Sequence, residues 1–166
     1  AIYLGVGSDY FPLKTFTTCA WANSSELGSG MTHSGIFSMT FGLSIFMDAS
    51  GNFGSYLDDN GVNPFSVYSS SYIRDGKYHF ICLNFDLLKR NMYVDGTLKN
   101  SSSSAWLGVS RWPTYPTVIG TEINNSTISM FKGLIDDVRV YSSVLTASEI
   151  QRLYAEESTQ RKLAEA

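Results

Sequence analysis

The sequence predicts an all-β protein, a sandwich or barrel of short antiparallel strands closed by one helix at the C-terminal end. Three observations carry this. Gly, Asn, Asp and Pro punctuate the chain about every 8 to 12 residues, the spacing of sandwich and barrel strands. Apolar residues between these breaks alternate, or run continuously for the length of one strand. The 166 residues include 14 glycines and only 16% charged side chains, which suits many tight turns, and 43% hydrophobic residues are enough to fill a core.

Taken in order, AIYLGVGSDY enters directly into strand-like sequence, and FTTCAWA (16–22) is a buried strand. FGLSIFMD (41–48) and the SYL of GNFGSYLDD (51–59) alternate across a Gly/Asn turn and predict a hairpin, and PFSVYSS (64–70) gives the next strand. KYHFICLNFD (77–86) is apolar on both parities, as in the middle of a sandwich. In NMYVDGTLK (91–99), Asp95-Gly96 supplies the two positive φ angles of a type I′ hairpin turn. TVIGTE (117–122) and MFKGLIDDVRVY (130–141) complete the strands. Thr146 and Glu149 then form a T-x-x-E capping box, and Ile150, Leu153 and Tyr154 recur at helical spacing. The domain is expected to span 1–155, and 156–166 to be a polar tail, helical or frayed and exposed.

The net charge of −3 comes from scattered acids with no basic stripe, which argues against a nucleic-acid partner. No apolar run reaches the 18 or so residues of a helical span, so the chain is not expected to insert in a membrane. Cys19 and Cys82 lie in apolar strand patterns outside any zinc-ligand spacing. Buried free thiols, behaving as small hydrophobes, are the preferred reading, and a disulfide is the alternative.

Four segments, YLGVGSDYFPLKTFTTCAWA, DGKYHFICLNFD with NMYVDGTLK, TVIGTE and FKGLIDDVRVYSSVLTASEIQRLY, resemble in order and spacing the LamG-like jelly-roll domains of the concanavalin A-like lectin/glucanase superfamily. The similarity covers nearly all of 1–155, and the last segment is the most specific. The resemblance implies a two-sheet antiparallel jelly-roll sandwich with one short C-terminal helix acting as a plug. It also implies a calcium site to which the acids at Asp9 and Asp136 contribute, with loop carbonyls and water completing the oxygen shell. Leu4 stands where many members carry a polar or acidic residue, which removes one metal-side ligand, and Tyr78 replaces a frequent Trp.

The residues themselves suggest three places for chemistry. Adjacent strand side chains point to opposite faces, so Asp136 is expected inward or at the sandwich edge with the parity of Val138 and Val140, and Asp137 toward water. An inward Asp136 needs either backbone donors or a cation. The proline-bearing loop AWLGVSRWPTYPT (105–117) gathers Trp106, Arg111, Trp112 and Tyr115, whose rings can stack on sugar faces while Arg bonds hydroxyls, and Asn124 can join that rim. The competing reading anchors one Trp in the core and lays the other over a sheet edge. His79 in a core strand reads as a structural histidine, and His33 in GSGMTHSG has no evident acid partner. Glycoside hydrolysis needs two carboxyls across a cleft, and the E-x-D-x-E strand of glucanases on this architecture does not occur here. N-x-S/T triplets at Asn23, Asn100, Asn124 and Asn125 mark loops expected to be exposed.

The expected function is a non-catalytic extracellular or cell-surface module that binds glycans or glycosylated surfaces, supported by calcium. The alternative is a structural or adhesive domain of a larger surface protein or filament, making protein–protein contacts.

Overall fold

The computed structural model describes residues 2–6, 15–27, 33–39, 43–57, 65–86, 88–103, 116–121 and 129–164. Their elements are β1 (Ile2–Val6), β2 (Phe16–Asn23), β3 (His33–Met39), β4 (Leu43–Asp48), β5 (Asn52–Leu57), β6 (Phe65–Tyr72), β7 (Tyr78–Phe85), β8 (Lys89–Val94), β9 (Thr97–Ser103), β10 (Pro116–Ile119), β11 (Leu134–Tyr141) and α1 (Ala147–Ala164). They form a six-stranded sheet in the order β1-β10-β3-β4-β5-β6 and a five-stranded sheet in the order β11-β2-β7-β8-β9. Every ladder pairing in both is antiparallel. The architecture is the two-sheet jelly-roll sandwich that the resemblance implies.

Alternation places the layers. Along β2, Phe16, Ala20 and Ala22 face the other sheet, and along β7 Ile81, Leu83 and Phe85 do so. They meet Leu43, Ile45, Met47, Phe53 and Leu57 of the six-stranded sheet. A charge sits within this layer. Arg90 on β8 is completely buried and reaches Ser55 Oγ on β5 at 3.5 Å, and burial lowers its pKa to about 10, so it stays cationic at neutral pH.

The opposite parity of the same strands, Cys19 and Trp21 on β2 with Phe80 and Cys82 on β7, forms a second apolar layer, and α1 covers it. Cys19 and Cys82 are register partners and are joined as a disulfide, which overturns the free-thiol reading. Ile150 is fully buried against this layer, and Leu153 and Tyr154 pack beside it, as the helical spacing predicted. The capping box forms: Thr146 N–H donates to Glu149 Oε2 at 2.7 Å and Glu149 N–H to Thr146 Oγ1 at 3.3 Å. Polar groups on the same outer face hold the approach to the helix. Leu145 N–H donates to Thr17 Oγ1 at 2.8 Å, and Asn84 Nδ2 donates to the Leu145 carbonyl at 2.6 Å.

Three local features differ from expectation or sharpen it. Asp95 and Gly96 have φ of 51° and 72°, as the I′ turn requires. β3 went unread because its register shifts between Gly35 and Phe37, so Ile36 and Phe37 are both buried and the two-residue period breaks. The helix is 18 residues long rather than short, and runs through most of the expected tail.

Candidate functional site

The site begins with the two acids of β11. The register pairs Asp136 with Trp21 and Arg139 with Cys19, so β11 holds one residue more than β2 over that interval. Asp137 is in the left-handed region, with φ of 48°. This β-bulge resets the alternation. Ile135 and Val138 both pack on the inter-sheet core, and Asp136 points out of it with a side chain 56% exposed. Of the two places expected for Asp136, the inward one is therefore corrected, and the sandwich edge is where it lies, on the edge strand of its sheet. The expectation that the two acids part company is corrected as well. Both carboxylates accept from the same nitrogen, Arg161 Nη2, Asp136 at 2.8 Å and Asp137 at 3.2 Å. The Arg161 hydrogen bond holds the Asp136 carboxyl below its ordinary value, against a smaller opposing effect of burial.

Arg161 reaches them across an aromatic floor. Its guanidinium lies 4.6 Å from the Trp21 ring centre and 4.7 Å from that of Tyr78, a double cation–π contact. Trp21 also stacks on Tyr154 at 5.8 Å and tilts against Phe80 at 5.3 Å. One helical turn before Arg161, Glu157 is buried; it accepts from Trp21 Nε1–H at 2.6 Å and pairs with Arg139 of β11. The tail thus docks through two salt-bridged side chains four residues apart on one helix face. Glu157 had been expected in an exposed segment. Its partners lie 136 and 18 residues away in sequence, so no local pattern could have found them.

Where α1 passes the end of β2 and the start of β7, a cleft of about 440 Å³ opens. Tyr78 and Tyr154 form its half-exposed aromatic surface, Asn23 and Ser158 supply neutral hydrogen-bonding groups, and Lys77 and Lys162 line it as cations. Arg161 lines it as well, already bound to the two aspartates. Gly76, with φ of 78°, supplies backbone only and keeps that part of the wall low. This combination can stack on a sugar ring, bond its hydroxyls and meet a negative charge.

Beside the cleft, His79 is structural, as its place in a core strand suggested. Its Nδ1 lies 2.8 Å from Asp95 Oδ2 and its Nε2 3.1 Å from Asp75 Oδ1. Hydrogen bonding to Asp95, then attraction to both acids, raises the imidazole pKa against the effect of burial. His33 has a place too, its ring 4.3 Å from that of Phe46 and its Nε2 3.4 Å from Tyr68 Oη.

Of the residues singled out from sequence, Trp106, Arg111, Trp112, Tyr115, Asn124 and Asp9 lie outside the described residues. Asp136 as found does not suit calcium. Its carboxylate is bound to a guanidinium and to the Asp137 N–H at 2.9 Å, and a cation there would face Arg161. Among the described residues no group of three or more His, Cys, Asp or Glu could hold a metal. Nor is any described helix long and apolar enough to cross a membrane.

A laminin G-type family model, described as the concanavalin A-like lectin/glucanases superfamily, matches residues 2–151. No curated protein matches the sequence. Among solved structures, the chain is similar to the binding domain of Paraclostridial Mosquitocidal Protein 1, with a TM-score of 0.63 and 18% identity over 84% of this chain. It spans 36% of that longer chain. It is also similar to the CBM40 of Ruminococcus gnavus IT-sialidase bound to α2,3-sialyllactose, with a TM-score of 0.71 and 12% identity over 92% of this chain and 95% of that one. A third is domain 4 of AbnA, a GH43 extracellular arabinanase from Geobacillus stearothermophilus, in complex with arabinotriose, with a TM-score of 0.71 and 18% identity over 92% of this chain and 71% of that one. At these identities the likeness is one of fold.

Proposed function

The chain belongs to the concanavalin A-like lectin/glucanases superfamily, and from that premise we propose that it is a non-catalytic module that binds glycans, or glycosylated surfaces, outside the cell. The observation that carries the proposal is the cleft beside α1, lined by the partly exposed Tyr78 and Tyr154 next to Asn23 and Ser158. Two similar folds support it, one in complex with arabinotriose and one bound to sialyllactose.

The acids near the cleft favour binding over hydrolysis. Asp136 and Asp137 are held by Arg161, Glu157 by Arg139 and Trp21, and Asp75 and Asp95 by His79. A glycosidase needs one carboxyl available as an acid and another facing it as a base or nucleophile. The loop carrying Trp106, Arg111, Trp112 and Tyr115, with Asn124 at its rim, is proposed as a second platform. A calcium ion with Asp9 among its ligands is proposed as a further support.

A glycan array in millimolar calcium, duplicated in EDTA, tests the reading. The expected result is a restricted set of bound glycans that survives EDTA, is lost in Tyr154→Ala and is retained in Trp112→Ala. Loss in EDTA would restore the calcium site. Loss only in Trp112→Ala would move the platform to the 105–117 loop, and an array silent throughout would leave the adhesive reading.

A further inference from the structure

We infer that the cleft beside α1 selects saccharides bearing a carboxylate, such as a uronic or a sialic acid. The inference rests on the glycan-binding reading and specifies its ligand class.

Its ground is the distribution of charge around the cleft. Among the described residues, the lining holds three cations, Lys77, Arg161 and Lys162, and no carboxylate. Arg161 is committed. Its Nη2 is shared between Asp136 and Asp137 and its plane is held against two rings, so it forms a fixed wall. The two lysines are held differently. Lys77 is 80% exposed and its Nζ lies 3.9 Å from Asp75, a loose contact. The stronger bonds to that acid, from His79 Nε2 at 3.1 Å and the Lys77 backbone N–H at 2.9 Å, both go to its Oδ1, and Lys77 Nζ meets Oδ2 at a distance beyond a hydrogen bond. Lys162 is exposed in the last turn of α1, where a cation is favoured by the partial negative charge of the helix end.

Lys77 comes from the segment leading into β7 and Lys162 from the helix, so the two ammonium groups are contributed to one cleft by separate elements. A neutral sugar resting on the exposed parts of Tyr78 and Tyr154 would use those rings with Asn23 and Ser158 and leave both lysines in water. A carboxylate on the same ring would add charge-assisted bonds from groups that have little else to lose. The whole chain carries a net charge of −3, so long-range steering does not favour an anion. The selection is therefore local and sensitive to salt.

The test is calorimetric titration of the full chain with sialyllactose, a glucuronate-containing disaccharide and lactose, at low and high ionic strength. The expected result is that at least one acidic sugar binds about tenfold more tightly than lactose at low salt, with the margin shrinking as salt is added. The double variant Lys77→Gln/Lys162→Gln, both positions exposed and so harmless to folding, should remove that margin and bring the acidic sugar to the affinity of lactose. Which acid binds distinguishes a uronate from a sialate. Lactose binding as tightly as both acids would overturn the inference and keep the glycan reading, as would an acid preference untouched in the double variant. Silence of all three sugars, together with a silent array, would overturn both.

Discussion

The two apolar layers of this protein are built on the same strands and held by different means. The inter-sheet layer is filled by Phe, Leu, Ile and Met on alternate residues, with Arg90 a deeply buried charge among them. The layer under α1 is smaller and aromatic. It is fastened at discrete points by the Cys19–Cys82 disulfide, the capping box, the Glu157 bonds and the Arg161 clamp. Burial in the first layer is collective, so no single polar bond decides it. In the second, each fastening is a separate and separable contribution, and the cleft sits where the fastening is most polar.

The largest effect is therefore expected from a truncation between the sheets. Phe85 is fully buried and its ring lies 5.5 Å from that of Phe16. Phe85→Ala should cost about 3–5 kcal/mol in urea unfolding, through lost transfer energy and the cavity left behind. Ile150→Ala, in the outer layer, should cost about 2–3 kcal/mol, at the low end for such a truncation, because the helix can settle onto the gap. Equal costs would erase the distinction between the layers.

Next comes the disulfide, which closes a separation of 63 residues. Cys19→Ala/Cys82→Ala should lose about 2–4 kcal/mol, chiefly by releasing the unfolded chain. The bond lies under Ile150 and its neighbours, so a reductant should act on the native protein only as fast as α1 lifts. Thiol trapping with time, in the native protein and in Ile150→Ala, measures that; equal trapping rates would mean that the helix does not guard the bond.

Which of these features could be read in the sequence follows the same division. Strand alternation, the Asp95-Gly96 turn and the Thr146/Glu149 box are local, with cause and effect within a few residues, and each is found as expected. Parity arguments fail where the backbone gains a residue, as at Gly35–Phe37 and at Asp136–Arg139. The bulge at Asp137 is what turns two side-by-side acids into one acceptor for Arg161, and nothing in the string IDDV announces a left-handed residue there. The cleft was missed for a related reason. Tyr78 and Tyr154 read as strand and helix packing residues, and only the length of α1 brings Ser158 and Lys162 beside them.

A smaller and more local effect is expected at Glu157. Glu157→Ala leaves Trp21 Nε1–H and the Arg139 guanidinium without their shared acceptor and should cost about 1–3 kcal/mol. The helix up to Tyr154 is secured independently by its cap and by Ile150, so the loss should fall on 155–164. Hydrogen exchange read residue by residue checks this. Faster exchange confined to 155–164 is the expected pattern, and uniform loosening of α1 would show that the helix docks as one unit.

The smallest effect is electrostatic and belongs to the outer layer and its rim. His79 has a raised pKa, so its contribution is fully present below the ordinary value of 6.5 and is lost as pH rises through the folded value. Asp136 and Asp75 have lowered values, so theirs is present above 3.8 and lost as pH falls through the folded values. Stability should be greatest on the weakly acidic side of neutrality, where both sets act together. His79→Gln should flatten the decline on the alkaline side and Asp136→Asn the decline on the acid side, each seen as a change in Tm against pH. Among the described residues the inter-sheet layer holds Arg90 as its buried charge, and that group loses its proton only near 10. A profile that kept its full slope in both variants would move the titrating groups away from the rim of the cleft.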